Sequence, residues 1–143
     1  MLLQLSFTGI GLVSGIQCLA HVANIIIADL VMRPETQHLP DIHKFKACFV
    51  QCNVVKWWDL HQLPDFSKKE FDTVPGIRSA NAGIYEPTWS NFWDDSEDDR
   101  RHYCAAVSIN AEHPMELTCL AIQSLLSEDK RGVVLYASSL GGS

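Results

Sequence analysis

Basic residues are scarce in this sequence. Eleven Lys and Arg stand against 17 Asp and Glu in 143 residues, a net charge of −6. A chain with that balance lacks the positive field that general binding to a nucleic-acid backbone needs, and it suits a basic partner surface better. Charged residues are missing altogether from the first 28 positions. No positively charged segment therefore precedes the apolar run, and no basic cluster follows it beyond Arg33. Ile10 to Val31 is long enough to span a bilayer, but Gln17, His21, Asn24 and Asp29 interrupt it, so neither a signal peptide nor a membrane anchor is well formed. Gly and Pro are modest, and a composition of 47% hydrophobic and 20% charged residues excludes wholesale disorder. Cysteines number five, an odd count scattered through apolar segments, which argues against a disulfide scaffold and for reduced thiols in the cytoplasm.

What is present reads as one domain over residues 1–143, of a size that buries a real core. Met1 to Phe7 has the apolar run of a buried strand, and Thr8-Gly9-Ile10-Gly11 breaks it. Leu12, Ile16, Leu19, Ala23, Ile26, Ile27 and Leu30 recur at helical spacing, which predicts a helix over 12–32 ended by Pro34. Phe45 to Val55 reads as a strand continuing toward Trp57 and Trp58, and Leu60 to Gly76 as surface loop. Ala82 to Trp93, with Pro87 inside it, reads as an edge strand or aromatic loop, and His102 to Asn110 as a strand. His113 and Pro114 then read as a helix start, Met115 to Leu126 as the helix, and Val133 to Ala137 as the last strand. The expected fold class is α+β, a mixed or antiparallel sheet of about four to five strands with two main helices on one face, split βαβ-like.

Gly9-x-Gly11-x-x-x-Gly15 follows the first strand and opens a helix, where glycines let backbone N–H groups approach a phosphate. The spacing departs from the dinucleotide fingerprint, and no acidic residue ends a second predicted strand at the distance that fingerprint requires. A tight strand-to-helix turn explains the glycines as well. Cys48 and Cys52, with His38 and His43 nearby, suggest zinc, but on a strand the two thiols lie about 13 Å apart, too far for one metal. Cys104 with His102, and His61 or His113 as a base, are the best nucleophilic set, and nothing around them forms a coherent constellation. No catalytic residue, cofactor or metal is expected.

The aromatic set is more informative. Tyr85, Trp89, Phe92 and Trp93 fall on irregular segments beside the acidic run Asp94, Asp95, Glu97, Asp98 and Asp99. Aromatic anchors rimmed by acids suit a basic protein target, so these nine residues are the expected partner-binding surface of a small acidic protein-binding module of the inhibitor, immunity-protein or chaperone type. The alternative is a small-ligand or nucleotide-binding enzyme using the Thr8 to Gly15 turn. A third reading is a structural subunit that buries helix 12–32 against another subunit, and self-association is open to the chain.

Overall fold

The computed structural model describes residues 2–5, 9–21, 24–32, 34, 47–85 and 105–138. Five strands form one sheet: β1 (Leu2–Leu5), β2 (Ile25–Asp29), β3 (Ala47–Gln51), β4 (Ile77–Ala80) and β5 (Val133–Tyr136). Their spatial order is β3-β2-β1-β4-β5, and every pairing is parallel. Among the described residues four helices lie between the strands: α1 (Ile10–Ala20) after β1, α2 (Trp57–His61) and α3 (Leu63–Phe71) after β3, and α4 (His113–Ser127) before β5. A helical turn, Ala105–Val107, and a π-helical segment, Ser108–Glu112, lead directly into α4.

The sheet is covered on both faces, and β2 shows why. Successive side chains of a strand point to opposite sides. Ile26 and Ala28 join Cys52, Leu60, Leu63, Ala80, Leu117 and Leu120 under α2, α3 and α4. Ile25 and Ile27 pack with Leu19, Leu12 and Ile16 of α1. A strand buried on both sides reads as an unbroken apolar run, and Ile25-Ile26-Ile27-Ala28 is one.

Several expectations are corrected here. The sheet is wholly parallel with helices on both faces, not a mixed or antiparallel split βαβ sheet with helices on one. The predicted helix over 12–32 is a helix and a strand: α1 stops at Ala20, its end closed by the His21 N–H donating to the Gln17 carbonyl at 3.1 Å, and β2 begins at Ile25. Trp57 and Trp58 open a helix, and the expected loop 60–76 holds α3, with Leu60, Leu63 and Ser67 buried. The described part of the predicted strand 102–110 is helical, so Pro114 lies within a longer helical run and does not begin one. Residues 2–5, 47–51 and 133–136 carry strands in the expected places. Among the described residues no helix is long and apolar enough to cross a membrane.

Candidate nucleotide site at the carboxyl edge of the sheet

The chain leaves β1 in one direction across the sheet, toward β2 and β3, and reaches β4 and β5 on the other side. At such a reversal the loops after the two central strands diverge, and a crevice opens at their carboxyl ends. Here the crevice opens beyond the carboxyl end of β4, between Ile10 at the start of α1 and Ala137 and Ser138 after β5. It is a cavity of about 610 Å³ lined by Ile10, Ala80 to Tyr85, Asn110, Pro114, Ala137 and Ser138.

On the β1 side, Gly9 sits just ahead of α1 with φ 52° and ψ −122°, a conformation that glycine adopts without strain. Among the described residues no atom lies within 4 Å of where a Cβ would project from it, so that side of its backbone faces open space. Gly11 and Gly15 are buried within α1, which lets that helix lie close to the sheet. On the β4 side, Asn81 accepts a hydrogen bond from Ser79 Oγ at 3.1 Å, while its Nδ2 is buried without a partner. Asn110 clamps the loop from the helix side: the Ile84 N–H donates to Asn110 Oδ1 at 2.9 Å, and Asn110 Nδ2 donates to the Ile84 carbonyl at 2.7 Å. Beyond β5, the Ala137 N–H donates to the Ala80 carbonyl at 3.0 Å and ties the third wall to the second.

Asp29 ends β2 on this same edge. Its Oδ1 accepts the Leu30 N–H at 2.7 Å, and its backbone carbonyl accepts the Cys52 N–H at 2.9 Å. The acidic residue that sequence reading did not find at the end of a second strand is therefore present. It was hidden because residues 25–29 were absorbed into a helix, which removed the strand whose end it marks.

The wall residues are all uncharged, so among them no acid stands opposite a base. Such a lining binds and orients a ligand. Cys52, weighed from sequence as a zinc ligand, is buried, and burial, reinforced by the nearby carboxylates of Asp59 and Asp29, pushes its thiol up to about 12. Cys48 donates weakly to Glu70 at 3.8 Å, and no group of three or more ligating side chains gathers for a metal among the described residues. His38, His43, His102 and Cys104 lie outside the described residues. His113, weighed as a base at a helix start, is fully buried at the first position of α4.

Of the nine residues expected to bind a partner, Tyr85 is 90% exposed and stands at the cavity mouth. Trp89, Phe92, Trp93, Asp94, Asp95, Glu97, Asp98 and Asp99 lie outside the described residues.

No protein-family model matches the sequence, and no curated protein matches it significantly. Solved structures do share its fold. A short-chain dehydrogenase from Mycobacterium smegmatis has 21% sequence identity and a TM-score of 0.81, matching 99% of this chain and 60% of its own. A short-chain type dehydrogenase/reductase from Mycobacterium marinum has 18% identity and a TM-score of 0.80, with 99% and 56% covered. The NADH-dependent reductase A1-R′, solved with NAD, has 16% identity and a TM-score of 0.77, with 97% and 59% covered. The chain thus spans less than two thirds of the length of these structures. Likeness to the fold of dehydrogenases and reductases, on a wholly parallel sheet, overturns the reading as an inhibitor, immunity protein or chaperone-type module.

Proposed function

We propose that this chain is the dinucleotide-binding part of an oxidoreductase and takes NAD(H) along the carboxyl edge of its sheet. The observation that carries the reading is Asp29, which ends β2 twenty residues after Gly9. A carboxylate at that place accepts hydrogen bonds from the ribose hydroxyls of the adenosine half, and it repels the extra phosphate of NADP. The residues present fit the group. The backbone at Gly9 faces open space ahead of an 11-residue helix, where a pyrophosphate gains from the N–H groups and the dipole. The cavity beyond the carboxyl end of β4 offers about 610 Å³ for the other half. NAD supplies hydride chemistry when bound, and the described residues of this chain bind and orient it. The solved relative holding NAD supports the same choice of cofactor. A reducing compartment goes with this reading, since Cys18, Cys48, Cys52 and Cys119 form no disulfide among the described residues.

Thermal unfolding with and without cofactor tests this. A ligand that binds only the folded state at about 100 times its Kd stabilises by about 2.7 kcal/mol, which is several degrees in Tm. NAD+ is expected to raise Tm in this way, NADP+ to raise it much less, and Asp29→Ala to remove most of the difference between the two. No shift with millimolar-range NAD+ or NADH would sink the reading.

A further inference from the structure

The helical run into α4 contains a wide turn, and its hydrogen bonds show a gap that the sequence itself creates. The His113 N–H donates to the Ser108 carbonyl, five residues back, as π-helical geometry requires. The carbonyl of Ile109 would take its bond from residue 113 in an α-helix or from residue 114 in a π-helix. The first N–H is already committed to Ser108, and the second does not exist, because residue 114 is proline. A backbone carbonyl in a packed helix needs a donor. The His113 side chain supplies one: Nδ1 lies 2.5 Å from the Ile109 oxygen.

That contact has a consequence for the cavity. The Ile109 C=O and the Asn110 N–H belong to one planar peptide group, so fixing the direction of the first fixes the plane from which Asn110 departs. Asn110 is the residue whose amide holds both backbone groups of Ile84 in the cavity wall. We propose that His113 is a positioning residue: its Nδ1–H closes the π-turn on the Ile109 carbonyl and thereby aims the Asn110 amide at the loop after β4. This rests on the nucleotide-site reading only in taking that loop as a cofactor wall.

The ring is suited to the task. It is fully buried, and burial lowers its pKa below the ordinary histidine value, so it stays neutral at pH 7. A carbonyl can only accept, which places the single proton on Nδ1 and leaves Nε2 bare. Nε2 is indeed buried without a partner.

The test uses the whole chain and reads three quantities. Nitrogen NMR of the wild-type imidazole at pH 7 is expected to show the Nδ1-protonated tautomer, and the Nε2-protonated form would overturn the proposal without any variant. Amide exchange at Ile84 reads the clamp directly. His113→Leu, which fills space but cannot donate, is expected to speed it about tenfold relative to the Ile26 amide of the core. His113→Asn, whose Nδ2 can reach the same carbonyl, is expected to restore it to within roughly threefold of wild type. Equal exchange in wild type and H113L, or equal loss in H113L and H113N, would assign the residue to packing only. NAD+ affinity is expected to fall and recover in parallel. Tautomer and exchange are measured without ligand, so absence of NAD+ binding counts against the nucleotide site and leaves the latch to be judged on its own.

Discussion

Gly9 and Cys52 show how single residues set local limits. At φ 52° a β-carbon is strained whatever space surrounds it, by roughly 1–2 kcal/mol. Gly9→Ala is therefore expected to lower stability by about 1 kcal/mol in urea unfolding. It should also weaken NAD+ binding, since the methyl enters the open space the phosphate needs. An unchanged affinity would move the phosphate away from this turn. Cys52 sits beside the same edge with its thiol pushed up to about 12. An unfolded thiol loses its proton from about pH 8.5–9 upward while the folded one keeps it. The folded state then holds more protons than the unfolded state, so stability falls as pH rises from about 9 toward 12. A urea midpoint that drops between pH 8 and pH 10 in wild type, and drops less in Cys52→Ala, is the expected result. The glycines of the turn were visible in the sequence. Asp29 was visible only as an interruption of an apolar run, because the significance of a carboxylate at a strand end depends on knowing that a strand ends there.

Elements were misread where one pattern satisfied two readings. Leu12, Ile16 and Leu19 do lie on a helix, and Ile26 and Ile27 continue the same spacing by coincidence while belonging to β2. The discriminating signal was local: three consecutive β-branched residues, Ile25 to Ile27, favour a strand buried on both faces. β4 went unnoticed because Ile77-Arg78-Ser79-Ala80 has neither an apolar run nor alternation. Arg78 is nevertheless 2% exposed. It donates to the Ala121 carbonyl at 3.3 Å and to Ser124 Oγ, and loss of water lowers its pKa to about 10. Among the described residues no carboxylate pairs with it. A buried cation without a counter-ion is a standing cost, so Arg78→Met is expected to leave stability within about 1 kcal/mol of wild type or to raise it. A loss of 3 kcal/mol or more in chemical unfolding would mean that the two donated bonds outweigh the desolvation. Gly132 is the opposite case, since a Cβ there would stand 2.6 Å from the Gly76 carbonyl oxygen and 2.6 Å from Leu125 Cδ1. The Val133 N–H donates to that same carbonyl at 2.8 Å to begin the β4–β5 pairing. Gly132→Ala should cost about 1–3 kcal/mol by overpacking and open β5 first, seen as faster exchange at Val133 than at Ile26.

At the scale of the whole molecule, the order of elements was partly legible: strand then helix at the start, helix then strand at the end. Direction was not, because parallel pairing follows from which strands the crossovers join, and without β2 and β4 the helices stand between the wrong strands. The complete order places β1 and β4 side by side at the reversal and leaves β5 at the rim. Parallel sheets are ordinarily covered on both faces. β5 departs from this, with Val133, Leu135 and Tyr136 each about half exposed, at 54%, 48% and 53%. An edge strand that shows apolar side chains and a free row of backbone groups invites association. The 143-residue chain on its own is therefore expected to bind a hydrophobic dye and to sediment faster as its concentration rises through the micromolar range. Leu135→Lys places a charge on that edge and should reduce both effects. It should shift stability by no more than about 0.5 kcal/mol, as surface substitutions do. If dye binding and sedimentation are the same in wild type and L135K, the exposed edge of β5 is not the surface through which the chain associates.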